Sequence, residues 1–306
     1  MAKGASWRDQ KESTSTLGIN ILMFMYRFCG RKSAFLVIWL ITFGVVLFNK
    51  RVRSVCLAYY KNLSDYANTK GKTLPKYSVH KHIYTFAKSI LIRVLTWKEW
   101  VKQPDLVAFK DLDKLNFLLK RNQGSVIFGS HIGSIDTLRA LNNQSYKCPV
   151  NILIWTKNSQ KLESYLGEIN KNSNVKMFIT QEVNPSLGVM LKEAIDKHEN
   201  IVILADRLSD ENSRKVKVNF LGMPASFPQG PWILANVLKA PILTLHFINS
   251  NGKNSLVCKD WGVINIPRLN REKAIQEYAQ KYAYELEDLV INSPCEWFNF
   301  YDFWQE

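Results

Sequence analysis

His131 lies in the segment GSVIFGSHIGSIDTLRAL (124–141), five residues before Asp136. The apolar run SVIFG reads as a strand, Gly129 and Gly133 loosen the backbone around His131, and Ser134 is placed to cap a following helix. His131 then falls at the carboxyl end of a strand, where open α/β sheets build their sites. Asp136 falls in the first helical turn, where the helix dipole favours a carboxylate. From there it can accept from one imidazole nitrogen, fixing the tautomer and leaving the other nitrogen free as a base. The stretch Gly129 to Gly133 has the outline of G-x-S-x-G, but His131 occupies the centre and Ser130 stands one place early. That geometry does not serve a covalent serine. A base with no protein nucleophile beside it suits direct transfer, in which it deprotonates a hydroxyl that attacks a carbonyl itself. By itself the spacing is a weak signal, and a structural histidine is its commoner outcome.

A second segment, LADRLSDENSRKVKVNFLGMPASFPQGPWILA (204–235), changes those odds. Asp206 and Arg207 stand at the end of a strand-like run, ahead of a polar loop. An arginine there can grip an anionic oxygen with two prongs, or pair structurally with Asp206 or Asp210. The chain returns through KVKVNF to a Gly222-Met223-Pro224 turn and enters a helix at Pro231. Gly222, Pro224, Pro228, Gly230 and Pro231 stiffen this stretch, either as the wall of a pocket or as a plain surface connection. Arg139, one helical turn beyond Asp136, either faces the site and binds a phosphate or points to solvent.

These residues need elements to hold them. Strand-like runs recur at 125–129, 150–155, 175–179, 201–205 and 241–247. A helix is expected after Asn184, with Pro185 in its first position, ending near His198. Another is expected from about Asn270 to Val290, with Ile275, Tyr278, Tyr282, Leu286 and Leu289 on one apolar face. Strands alternating with helices predict an α/β layered domain with a largely parallel sheet flanked by helices. Ahead of it lie two apolar stretches, Leu17 to Phe28 and Ala34 to Phe48, bracketed by Arg27, Arg31, Lys32, Lys50, Arg51 and Arg53. The uncharged run 34–48 falls short of the roughly 20 residues a helix needs to span a bilayer. Basic flanks suit a segment dipping into one leaflet, against the alternatives of a buried helix or a tilted span. The expected division is a helical, membrane-associating region over 1–115 and an α/β core over 116–306.

Lys and Arg outnumber Asp and Glu by 41 to 26, a formal charge of +15 that calls for an anionic partner. Nucleic acid, an anionic lipid surface and an acidic carrier protein all answer to that. Base-stacking and base-reading motifs do not stand out, which argues against nucleic acid. The 5 cysteines are scattered and never spaced as C-x-x-C, so reduced thiols are expected, with no zinc site. His80, His82, His198 and His246 have no companion pattern, and His246, in an apolar strand run, reads as a satisfied core residue. The C-terminal Trp297, Phe298, Phe300, Phe303 and Trp304 read as packing residues, with membrane-interface anchoring as the rival.

Taken together, the two segments resemble the lysophospholipid acyltransferase superfamily, in particular its lipid A late-acyltransferase-like branch. His131 and Asp136 match the His-x-x-x-x-Asp block. Asp206, Val218, Phe220, Gly222, Pro224, Ala225, Pro228, Gly230, Pro231, Leu234 and Ala235 match the later block. Asp136 stands where lipid A acyltransferases generally carry Glu, a departure that bears on the acceptor. The resemblance implies an O-acyltransferase that takes an acyl group from an acyl-carrier-protein or acyl-CoA thioester. The acceptor would be a hydroxyl of a lipid or glycolipid, with no metal and no cofactor beyond the thioester. It further implies residence on the cytoplasmic face of a bacterial inner membrane, against anionic lipids. His131 and Asp136 would be catalytic, and Arg139, Asp206, Arg207, Phe220, Gly222 and Pro224 would contact substrate. An inactive acyltransferase-fold scaffold and a basic nucleic-acid-binding protein are the competing readings.

Overall fold

In the computed structural model, residues 16–98, 100, 123–133, 150–155, 175–180, 185–208, 213–250 and 253–305 are described. Among the described residues four helices come first: α1 (Thr16–Phe28), α2 (Arg31–Phe48), α3 (Lys50–Thr69) and α4 (Val79–Trp97). Strands β1 (Val126–Gly129), β2 (Val150–Trp155) and β3 (Val175–Thr180) follow, then α5 (Pro185–Asp196) and β4 (Asn200–Leu204). A hairpin of β5 (Lys215–Phe220) and β6 (Met223–Pro228) leads to α6 (Gly230–Leu238). The chain closes with β7 (Pro241–Ser250), β8 (Lys253–Val263) and α7 (Arg271–Asn292), and a 3-10 turn at Phe303–Gln305.

Among the described residues six strands form one sheet in the order β3-β2-β4-β1-β7-β8. The first five run parallel, and β8 joins as an antiparallel edge on β7. The layered, mainly parallel fold expected from the alternation of strands and helices is what the chain adopts. Parallel strands are buried on both faces, which is why their sequences are continuous apolar runs and not alternating ones. Each expected run overlaps a sheet strand: 150–155 matches at both ends, and the other four differ by one to three residues at one or both ends. In the β5–β6 hairpin, β5 does alternate, with Val216, Val218 and Phe220 buried and Lys215, Lys217 and Asn219 exposed, whereas β6 is buried continuously from Ala225 to Pro228. The hairpin turns at Leu221 and Gly222, both with positive φ (52° and 76°), so the turn lies one residue before the expected Gly222-Met223-Pro224.

Helix α7 covers one face. Its Ile275, Tyr282, Leu286 and Leu289 are buried as its apolar periodicity predicts, and Tyr282 packs edge-on against Phe128 of β1. Trp232 of α6 lies T-shaped to the same Phe128 and is fully buried. Burying such side chains contributes about 1.5–3 kcal/mol each. Cys56, Tyr59, Tyr60 and Leu63 of α3 belong to this same core, so α3 is welded to the sheet domain although it lies before residue 115.

Helices α1, α2 and α4 share a smaller cluster built on Ile19, Met23, Ala34, Ile38, Leu91, Val94 and Leu95. In α2 only Ala34, Ile38 and Thr42 are buried. The helix begins at Arg31, three residues ahead of the uncharged run, and its 18 residues make it long and apolar enough to cross a membrane by length and composition.

Candidate active site

Strands β1 and β4 are parallel neighbours with Gly129 opposite Leu204, and the ladder continues through Ala205 N–H to the Gly129 carbonyl (3.0 Å). Two residues beyond those paired ends stand His131 and Asp206. Register alone sets them side by side at the carboxyl edge of the sheet. The Asp206 carboxylate takes both of His131's nearby donors: Nδ1 to Oδ1 at 2.9 Å, and the backbone N–H to Oδ2 at 2.9 Å. A carboxylate only accepts, so Nδ1 carries the ring proton and Nε2 presents a lone pair. Among the described residues no group bonds Nε2. The His131 side chain keeps 27% exposure, whereas Asp206 keeps 2%.

The electrostatics suit a base. Burial pushes the His131 pKa down and the Arg207 guanidinium adds to this, outweighing the opposite pull of Asp206. The ring is therefore neutral at neutral pH. Burial alone would raise the Asp206 carboxyl, but His131 and then Arg207 hold it below the usual carboxylate range. Asp206 stays ionised and oriented.

The loop carrying His131 is tied on every side. Ile132 N–H donates to Ser130 Oγ (3.2 Å) and Gly133 N–H to the Glu296 carbonyl (2.8 Å). The His131 carbonyl accepts from Phe298 N–H (2.9 Å), and Ile132 forms an antiparallel bridge with Trp297. Gly133 has φ of 70°, and a Cβ there would sit 1.8 Å from the Phe247 carbonyl oxygen, so only glycine fits. With the amides of His131, Ile132 and Gly133 all engaged, none is available to a substrate oxygen.

The C-terminal aromatic segment is thus part of the site's frame. Trp297 is buried, and its carbonyl lies 2.7 Å from Nε2 of His82, a fully buried histidine of α4. Burial pushes the His82 pKa down to about 4, so that ring is neutral and donates. Arg207 reaches the same segment: Nη2 donates to the Phe298 carbonyl (3.1 Å) and to Asn299 Oδ1 (3.0 Å), and its guanidinium lies 5.1 Å from the Tyr301 ring centroid.

The sequence profile of the bacterial lipid A biosynthesis acyltransferase family matches residues 72–306. The chain belongs to this family. A comparison with curated proteins gives no match. The match spans α4, the sheet and the C-terminal segment, so the elements that frame His131 are the family's own.

Within this acyltransferase fold the residues singled out in the sequence fare differently. His131, Asp206 and Arg207 come together. Among the described residues it is Asp206 that receives the His131 Nδ1 proton, at 2.9 Å. Asp136, Arg139, Asp210 and Ser134 lie outside the described residues. Phe220 is fully buried against Trp297, Phe303 and Trp304, and so serves the core beneath the site. Gly222 and Pro224 sit on the exposed side of the hairpin, and among the described residues no hydrogen bond joins either to the His131–Asp206 pair. His82 carries no companion pattern in the sequence, and its bond to the Trp297 carbonyl emerges only from the fold. Asp206, expected beside Arg207 and a substrate, also bonds His131. The pair lies two residues past each of two strand ends, an offset that emerges only once the second strand is seen to end at Leu204.

Proposed function

We propose that the protein transfers an acyl group from an acyl-carrier-protein or acyl-CoA thioester to a hydroxyl of a lipid or glycolipid, at the cytoplasmic face of a bacterial inner membrane. One observation carries the mechanism: a neutral His131, its Nδ1–H held by an ionised Asp206 and its Nε2 open. Nε2 takes the proton from the acceptor hydroxyl as that oxygen attacks the thioester carbonyl. The tetrahedral species collapses with cleavage of the carbon–sulfur bond, and the imidazolium, steadied by Asp206, returns the proton to the departing thiolate. The products are an ester and a free thiol, and His131 is neutral again. No acyl-enzyme forms. Asp136 and Arg139 remain candidates for acceptor contacts.

Membrane attachment rests on α1 and α2. Phe24, Phe28, Leu40, Ile41, Leu47 and Phe48 are exposed large apolar side chains on these two helices. The basic residues flanking them suit anionic headgroups, at about 1 kcal/mol each near such a surface. The +15 charge also suits an acidic carrier protein as donor.

The test is His131→Ala assayed for thiol release from palmitoyl-CoA and palmitoyl-acyl carrier protein, with bacterial membrane lipids as acceptor. General-base removal is expected to cost ~10²–10⁴ in kcat. A folded variant turning over at the wild-type rate ends this mechanism.

A further inference from the structure

A second histidine sits behind the first. Strand β7 pairs with β1 on the side away from β4, with Phe128 opposite Thr244. Two residues on along both strands, Ser130 Oγ lies 3.0 Å from His246 Nδ1. Both are buried, Ser130 at 3% exposure and His246 at 1%. On the far side of the ring, His246 Nε2 faces Glu285 Oε1 of α7 at 3.8 Å and has no hydrogen-bond partner. Glu285 is itself fixed: Thr244 Oγ1 donates to it (2.5 Å), Trp261 Nε1 donates to it (3.3 Å), and Lys259 Nζ stands 3.7 Å away.

The protons in this chain can be placed. A lone pair on Nε2 facing a carboxylate would be repelled, so Nε2 carries the hydrogen and Nδ1 accepts. The Ser130 hydroxyl therefore donates to Nδ1, and its oxygen is left to accept from Ile132 N–H (3.2 Å). Order passes from Glu285 through His246 and Ser130 to the amide next to His131.

Serine, histidine and glutamate in sequence invite the reading of a nucleophilic triad. Geometry argues otherwise. Ser130 is buried, and its hydroxyl is already engaged by a backbone donor, by the histidine and by the Tyr282 hydroxyl. We propose that Ser130, His246 and Glu285 are positioning residues that set the His131 loop from beneath, while Asp206 sets the ring from the side. The proposal rests on His131 being the base. It goes further in assigning work to a buried histidine and a buried glutamate that never meet substrate. Displacing a reacting group by a fraction of an ångström is costly in rate and nearly neutral in binding.

The experiment pairs kinetics with histidine-ring NMR of the full chain in detergent. Ser130→Ala is expected to lower kcat roughly ten-fold with KM for the thioester within about two-fold, and to shift the His131 ring signals. With 5 histidines in the chain, the spectrum is assignable by single substitutions. His246→Leu is expected to behave like Ser130→Ala. His246→Asn should recover part of the loss, because its amide oxygen can stand where Nδ1 accepts from Ser130. If Ser130→Ala and His246→Leu lower only the melting temperature, with kcat and the His131 signals unchanged, the anchoring is ordinary core packing and the proposal fails. An acyl group found on Ser130 by mass spectrometry after thioester exposure overturns it as well. The ring signals are read without substrate. If His131→Ala proves fully active, the base assignment falls, and the spectra still decide whether Ser130 and His246 hold the loop.

Discussion

The loop over residues 129–133 and the α1–α2 pair meet the same solvent with opposite habits. In the loop the three amides of His131, Ile132 and Gly133 each have a partner: the distant Asp206 carboxylate and Glu296 carbonyl, and the loop's own Ser130 hydroxyl. In α2, by contrast, 15 of 18 residues are not buried, although the helix is predominantly apolar. The first arrangement is complete without a partner and leaves one nitrogen to do chemistry. The second is incomplete in water, because exposed apolar area of this kind costs about 25 cal/mol per Å² until something covers it. The chain thus ties down the His131 loop and leaves the apolar surface of α2 uncovered.

The comparison breaks most sharply at Asp206. Replacing it with asparagine keeps the shape but removes the charge that holds Nδ1–H and steadies the imidazolium. Asp206→Asn is expected to lower kcat by ~10²–10⁴, with KM little changed, because tautomer and transition-state charge are lost and not substrate contacts. Asp136→Asn, made alongside, separates the two carboxylates. If Asp136 carries the larger kcat defect and Asp206→Asn is mild, the orienting role belongs to Asp136 after all.

At the open end the readout is adhesion. A charged side chain placed at depth in a bilayer costs ~2.5–3.5 kcal/mol. Leu40→Asp combined with Phe48→Asp is therefore expected to cut partitioning onto anionic vesicles by ~10²-fold or more, with the sheet domain still folded by circular dichroism. Binding unchanged in that variant moves the membrane surface elsewhere, with the C-terminal aromatics next in line. Loops protected from protease on both sides of a sealed vesicle would instead make α2 a true span.

The sequence carried the sheet well and the site unevenly. Parallel strands are apolar throughout, so β1, β2, β3, β4 and β7 stood out as runs, whereas β8, with Lys253, Asn254, Lys259 and Asp260 in it, did not. His131 was legible because glycines and a strand end flank it. Its partner was legible only as a type: Asp206 lies 75 residues away, and no local spacing joins two strand ends that meet through sheet order. The C-terminal WFNFYDFW was readable as aromatic packing, and it is that. Its backbone role could not be read, because carbonyls and amides have no sequence signature.

Acid tests the buried frame as well as the base, whose pKa burial also lowers. His82 and His246 both have pKa values pushed down to about 4, burial being the main cause for each. In the unfolded chain both titrate near the ordinary histidine value of ~6.5. Below that pH the unfolded chain binds protons that the folded one refuses, so stability falls as pH drops from about 6.5 toward 4. The expected slope is on the order of 1 kcal/mol per pH unit for each histidine. It should be read by denaturant melts between pH 7 and 4.5. His246→Asn should remove about half of that acid sensitivity while keeping a hydrogen-bond acceptor for Ser130. An equally steep loss in the variant would place the acid-sensitive groups elsewhere, in the carboxylates.

The smallest expected effect belongs to Arg207, and it divides into two parts that different substitutions separate. Its charge helps hold the His131 pKa down, second to burial, and its planar fork ties the strand end to Phe298 and Asn299. Lysine keeps the charge and loses the fork. In Arg207→Lys the acid limb of kcat/KM should stay where the wild type has it, while the melting temperature drops by a few degrees, the scale of ~1 kcal/mol in a chain this size. Arg207→Ala removes both, so the same drop should come with an acid limb moved up toward the ordinary histidine range, since a ring relieved of a nearby cation protonates more readily. The direct rate loss at pH 8, where the ring is neutral either way, should stay within about ten-fold. A much larger loss at pH 8, with KM for the acceptor raised, would mean that Arg207 lets go of the C-terminal segment to grip a substrate anion. The site would then be less rigid than its hydrogen bonds make it, and the contrast with α2 would soften.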